Sequence, residues 1–175
     1  MPFCRKGGIV ASISLRKTRI SFLTAHLQAH EGDKKYKKRC KNMAEILNHA
    51  KVGPTNESRL YDASLSSHFC FVFGDLNFRL DAIKTLETHE QEKYSYDEKV
   101  EKVFEMIKRE EWHRLHKIDE LINGLRENDL LVGFETLQCC FPPTYKVNRG
   151  FDGYQYNGKR IPRWVLSSSK FFCFL

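Results

Sequence analysis

The chain has 175 residues, with 29 Lys and Arg against 22 Asp and Glu, so the formal charge is +7 with the seven His neutral. Its 41% apolar and 13% aromatic residues supply material for a core, and 29% charged residues with a mean hydropathy of −0.51 exclude a disordered chain. The length suits one domain or a piece of a larger one, and no apolar run reaches the ~20 residues needed to cross a bilayer.

The N-terminal Met1-Pro2-Phe3-Cys4-Arg5-Lys6-Gly7-Gly8 lacks the apolar stretch of a secretory signal. A cytoplasmic protein, peripheral at membranes if membrane-associated, is the expectation. A pI near 9.1 favours an anionic partner, either phosphorylated small molecules, anionic lipid heads or nucleic acid; a plain basic surface gives the same balance. None of the six cysteines forms a Cys-x-x-Cys pair, which speaks against a zinc ribbon. Reduced thiols are expected, and Cys70, in an apolar run, reads as core filler.

In chain order, Ile9, Ala11, Ile13 and Leu15 alternate with Val10, Ser12 and Ser14, which predicts a strand. Arg16-Lys17-Thr18-Arg19 reads as a polar turn and Ile20 to His26 as a second, mostly buried strand. A helix is predicted over 33–50, with Tyr36, Cys40, Met43, Ala44 and Leu47 on one face. Its cations at 34, 35, 37, 38, 39 and 41 spread around much of the circumference, as on a solvated helix end. A loop follows over 51–66. His68 to Phe73 is nearly all apolar and predicts a central strand buried on both faces, ending at Gly74-Asp75. Helical periodicity covers 97–122, with a break near Glu110-Glu111. From Phe141 onward, Pro, Gly and Tyr indicate an irregular loop. Strands and helices interleave, so the class is α/β or α+β.

Four places could carry chemistry. Gly74-Asp75-Leu76-Asn77-Phe78-Arg79 presents a carboxylate and an amide where a strand ends, a position at which a carboxylate can orient a water and take its proton. A turn stabilised by Asp and Asn side chains fits the same letters. In Thr24-Ala25-His26-Leu27-Gln28-Ala29-His30, His26 ends the second strand, where an imidazole can neutralise a phosphoryl group or act as an acid; a hydrogen-bonded structural histidine is the other reading. Phe141-Pro142-Pro143-Thr144-Tyr145-Lys146 and Lys159-Arg160-Ile161-Pro162-Arg163-Trp164 hold cations and aromatics on stiff backbone, as a multiply phosphorylated ring requires. A nucleic-acid backbone or a bare surface loop fits too. Lys6-Gly7-Gly8 could bring backbone N–H groups to an anion.

Taken together and in order, Lys6-Gly7-Gly8-Ile9, the His26 segment, the Asp75–Asn77 turn, Gly133-Phe134-Glu135, Pro143-Thr144-Tyr145-Lys146 and Lys159 to Trp164 resemble the inositol polyphosphate 5-phosphatase family. Trp112 to Leu121 is similar to that family's helical insert. The resemblance implies a four-layer α/β sandwich, two packed mixed sheets flanked by helices, and Mg2+-dependent hydrolysis of the 5-phosphate of phosphoinositides or soluble inositol polyphosphates. It implies Asp75 as the base that orients the water, Asn77 as a holder of water and phosphate, and His26 as the neutraliser of the phosphoryl group. Tyr145, Lys146 and Lys159 would contact the 4-phosphate, with Lys6 and Arg160 as further phosphate contacts. An anionic membrane surface is a possible partner and no nucleic acid is expected.

The resemblance runs from about Lys6 to Trp164 and stops there, so residues 1–164 read as the partial catalytic domain. The family's metal-binding Glu lies upstream of this chain, so no metal ligand is assigned within it. After Trp164 the family's Cys-Asp-Arg and later Ser-Asp-His motifs are replaced by Val165 to Leu175, which reads as an aberrant or alternative tail. The expectation is a partial domain, weak or inactive alone. The other possibility is a non-catalytic phosphoinositide-binding or regulatory fragment.

Overall fold

The computed structural model describes residues 6–56, 58–81, 95–137, 139–148, 150, 155–158, 160–165 and 171–173. Two compact units are present: Met1–Asn77 with Gly124–Leu137 and Leu166–Leu175, and Phe78–Asn123 with Gln138–Val165.

In the first unit, β1 (Gly7–Leu15) pairs antiparallel with β2 (Thr18–His26), which pairs in parallel with β3 (Phe69–Asp75). The expected turn shrinks to Arg16-Lys17, with Arg16 left-handed at φ 54. Helix α1 (Asp33–His49) provides the crossover between the parallel strands. Its Ile46 lies directly over Gly8, so it covers the sheet face carrying Gly8, Val10, Leu23, Ala25, Cys70 and Val72. That face holds the core of the unit.

The opposite face is apolar as well, carrying Ile9, Ile13 and Leu15, then Ile20 and Phe22, then Phe69, Phe71 and Phe73. It stays half open: Ile9 is 71% exposed and Leu15 67%, and the three β3 phenylalanines are half-buried. Phe22 stacks on Phe71 at 5.5 Å between centroids. Burial of β3 on both faces, expected from its unbroken apolar run, is therefore met only on the α1 side. In α1, Arg39 is fully buried rather than one of the solvated cations. Its guanidinium donates to the carbonyls of His30 at 2.7 Å and Gln28 at 3.3 Å, so it ties the loop after β2 to the helix. Ala44, expected on the buried face, is exposed. Burial raises the Tyr36 phenol above its ordinary range, and neighbouring Cys40, Asp129 and Glu127 add to this. A short strand, β4 (Phe134–Thr136), pairs antiparallel with β5 (Phe171–Cys173).

In the second unit the predicted helical stretch is three helices, α2 (Tyr96–Lys108), α3 (Trp112–Lys117) and α4 (Glu120–Arg126), the last running on into the first unit. Ser95 and Glu98 form a reciprocal capping box at the start of α2. The break falls where expected because Glu110 adopts φ 56, which ends the helix. A second break was hidden by the unbroken periodicity: Asp119 turns the chain and caps α4, its Oδ1 accepting from the N–H groups of Leu121 at 2.8 Å and Ile122 at 3.1 Å. Leu80, Val100, Val103, Met106, Leu115, Ile118 and Ile161 form the core.

Two predictions follow from burial. Leu23→Ala, at a fully buried position, is expected to cost about 2–5 kcal/mol in urea denaturation, and Leu15→Ala on the open face no more than about 0.5 kcal/mol. Burial pushes the Asp119 carboxyl from 3.8 up to about 7, against the opposing pull of its two backbone hydrogen bonds. A carboxyl with a raised folded-state pKa favours folding while protonated, so its contribution is full below about pH 4 and is lost as pH rises through about 7. Buried His116, held below the usual imidazole range, contributes in the opposite sense, losing stability as pH falls below about 6.5. Asp119→Asn keeps the capping oxygen. Its stability relative to the native chain should increase from pH 5 to pH 8 when urea midpoints are compared.

Candidate active site

Strand register decides which side chains meet in the first unit. The parallel pairing of β2 with β3 places His26 opposite Asp75, and the antiparallel pairing of β1 with β2 places Gly7 opposite His26. Lys6, His26 and Asp75 therefore share one end of the sheet, the carboxyl end of the two parallel strands, where open α/β sheets present ligand sites. They line a pocket of about 630 Å³ with Gly8, Thr24 and Gly74.

Lys6 Nζ lies 2.7 Å from His26 Nε2. His26 Nε2 is also 4.0 Å from Asp75 Oδ2, with His26 55% and Asp75 32% exposed at the side chain. At that distance and exposure the pair adds little to stability. Its interest lies in putting a donor, an imidazole and a carboxylate within one small volume.

The Asp75 turn is tightly specified. Gly74 has φ 115, and a Cβ there would run into the backbone carbonyl of Ala25. Only glycine lets β3 approach β2 this closely at that conformation. Asp75 Oδ1 accepts from the Asn77 N–H at 3.1 Å, and the Leu27 N–H donates to the Asp75 carbonyl at 3.1 Å. Asn77 sits at φ 60 and is 4% exposed, with its Nδ2 donating to the Leu27 carbonyl at 3.0 Å. One oxygen of Asp75 thus builds the turn, while the other lies 4.0 Å from His26 Nε2.

The Tyr145 and Lys146 segment lies in the second unit. Tyr145 and Arg163 exchange both backbone hydrogen bonds, at 2.9 and 2.8 Å. Tyr156 Oη donates to the Pro143 carbonyl at 2.6 Å, the Val165 N–H to Thr144 Oγ1 at 2.9 Å, and Trp164 Nε1 to the Phe141 carbonyl at 3.1 Å. These bonds brace the loop, and from it Lys146 and Arg160 extend into solvent while Tyr145 is half-buried. Lys159 lies outside the described residues. Sequence reasoning passed over Gly74 and Arg163, although both stand inside motifs it had marked; the cue for Gly74 was a glycine immediately before a strand-end carboxylate. Among the described residues, no group of three or more His, Cys, Asp or Glu side chains is placed to hold a metal ion.

Residues 2–166 match the family model "Endonuclease/Exonuclease/phosphatase family 2". The type I inositol polyphosphate 5-phosphatase 1 of Arabidopsis thaliana is 31% identical over 166 residues, 91% of this chain and 25% of that protein. The Homo sapiens phosphatidylinositol 3,4,5-trisphosphate 5-phosphatase 2 is 27% identical over 96% of this chain and 12% of its own length. The chain thus spans a quarter or less of these relatives. Among solved structures, the inositol polyphosphate 5-phosphatase domain of spsynaptojanin, in complex with inositol (1,4)-bisphosphate and calcium ion, superposes with a TM-score of 0.70 at 23% identity, over 98% of this chain and 43% of that one. A Cimex nitrophorin, solved as a ferrous NO complex, superposes with a TM-score of 0.59 at 22% identity, over 95% of this chain and 47% of its own. The likeness to these structures establishes an α/β fold of this type, and the family match over nearly the whole chain establishes that it belongs to endonuclease/exonuclease/phosphatase family 2.

Proposed function

We propose that residues 1–164 belong to a Mg2+-dependent phosphatase domain that removes the 5-phosphate of phosphoinositides or soluble inositol polyphosphates, in the cytoplasm or at its membrane surfaces, with 165–175 a separate tail. The observation that carries this reading is the convergence of Lys6, His26 and Asp75 on one strand-end pocket, in a chain whose relatives are named as 5-phosphatases. The half-open apolar face of Ile9, Ile13 and the β3 phenylalanines supports a four-layer arrangement, since a second packed sheet is what such a face would bury.

Phosphoryl transfer depends on positioning and charge stabilisation. Asp75 Oδ2 orients a water and takes one of its protons as the oxygen bonds to phosphorus. The bond from phosphorus to the ring oxygen breaks, and the ring departs as the 5-hydroxyl after taking up a proton from solvent. Lys6 and His26 offset the charge that builds on the phosphoryl oxygens. Asn77 acts through the turn, holding the carboxylate in place. Tyr145, Lys146, Lys159 and Arg160, all in the second unit, serve as phosphate contacts. Asp75 is the one carboxylate among the residues lining the pocket, and it serves the water. The chain's described residues therefore do not by themselves make a Mg2+ site, and no step here runs through the ion.

A second reading, phosphoinositide binding without hydrolysis, is favoured by the braced loop that carries exposed Lys146 and Arg160. Phosphate release in Mg2+ buffer separates the two. Slow release from inositol 1,4,5-trisphosphate is expected, lowered about 10²–10⁴-fold by Asp75→Ala, with none from inositol 1,4-bisphosphate. Release that is equal from both substrates, or unchanged in Asp75→Ala, overturns hydrolysis at this site. Gly74→Ala forces β3 away from Ala25 and is expected to destabilise by more than about 1 kcal/mol while also lowering release, as read by thermal melts and the same assay.

A further inference from the structure

Folding sorts the cations at the start of α1. Arg39 is buried on the core side and Lys35 is half-buried, while Lys34, Lys37, Lys38 and Lys41 are exposed. Those four stand at i, i+3, i+4 and i+7, the spacing of one helix face, along about 10 Å of helix. The even spread read from the sequence is thus replaced by a one-sided stripe. The stripe works against the helix that bears it. Like charges three and four residues apart repel, and cations near a helix N-terminus oppose the macrodipole. Relief is slight: Asp33 is the acid of the first turn, and the Gly32 cap makes no side-chain bond. Among the described residues, the one ion pair of the stripe joins Lys41 to Glu45 at 3.9 Å. Glutamine has a similar helix propensity and would serve a merely solvated face without either cost.

The stripe also adjoins the strand-end pocket. Lys38 lines a cavity beside β1 with Lys6, Gly7 and Gly8, and these last three line the pocket that holds His26 and Asp75. The positive face therefore borders that pocket within the first unit. Its chemistry narrows the partner. Lysine ammoniums are compact point charges, without the planar fork that suits a bidentate contact. Tyr36 is half-buried and Arg39 is turned inward, so the face offers bases no stacking platform and a bilayer no apolar wedge. Dispersed anionic headgroups need neither, and each lysine held near such a surface is worth about fivefold in affinity. We propose that Lys34, Lys37, Lys38 and Lys41 form a docking surface for an anionic bilayer, held by charge alone with no side chain inserted. The surface goes beyond the hydrolytic reading and does not rest on it.

Sedimentation of the 175-residue chain with vesicles tests it, using phosphatidylcholine alone or phosphatidylcholine mixed with phosphatidylserine. Neither contains an inositol lipid, so failure of the hydrolytic reading leaves the result unmoved. Binding is expected to the mixed vesicles only, and it should vanish near 1 M salt, where the screening length falls to about 3 Å. Changing Lys34, Lys37, Lys38 and Lys41 together to Gln should weaken it at least about tenfold, with a urea midpoint equal to or above the native one. The control changes Lys17, Lys108, Lys117 and Arg126 to Gln, all exposed and outside α1. It carries the same net charge and should stay within about threefold of native. Native binding by the stripe variant, or an equal loss in both variants, overturns the proposal. Duplex RNA that strips the chain from the vesicles at equal phosphate assigns the face to nucleic acid and overturns it too. Should the fourfold variant not fold by circular dichroism, Lys34→Gln with Lys37→Gln decides, with binding at least about threefold weaker expected and native binding sinking the idea.

Discussion

The close approach of β3 to β2 at Gly74 is the constraint on which the strand-end pocket depends. A side chain at that position would collide with the Ala25 carbonyl, and any separation of the two strands would pull Asp75 away from His26. Parallel pairing fixes these two residues side by side, and the antiparallel hairpin folds Lys6 back to join them. Three residues separated by 20 and 49 positions in the sequence become neighbours through backbone hydrogen bonding alone. The side chains contribute little binding energy to one another, so the site is a product of the sheet and costs it little.

The resemblance to a nitrophorin, whose solved complex is a ferrous NO species, shows how little this fold says about chemistry by itself. The same arrangement of strands and helices supports different functions in different relatives, as widely used folds do. What separates the possibilities is the set of side chains at the strand ends. In this chain an ammonium, an imidazole and a carboxylate gather there.

Much of this was legible in the sequence because it rests on local rules. The β1 alternation, the apolar run of β3 and the amphipathic stripe of α1 each produced the expected element, and the order of short motifs pointed to the family. The errors came from tertiary context. Arg39 looks like any helix cation, yet two loop carbonyls make its burial favourable. Asp119 lies in an uninterrupted helical period, and only its capping bonds reveal the break. The β3 phenylalanines are apolar enough for a buried face, but nothing in a single strand says how completely the neighbouring layer will cover it. Arg163 lies in a marked motif, and its contact with Tyr145 depends on a bridge between segments 18 residues apart.

Asn77 occupies a left-handed backbone conformation that glycine, asparagine and aspartate accept far more readily than other residues. Two independent demands, one from the main chain and one from the amide, fall on a single codon. Natural variation there is confined to a very short menu before any requirement of chemistry is considered, and an alanine replacement would merge a folding defect with the loss of a functional group. Glycine is the substitution that removes the amide while leaving the main chain at ease.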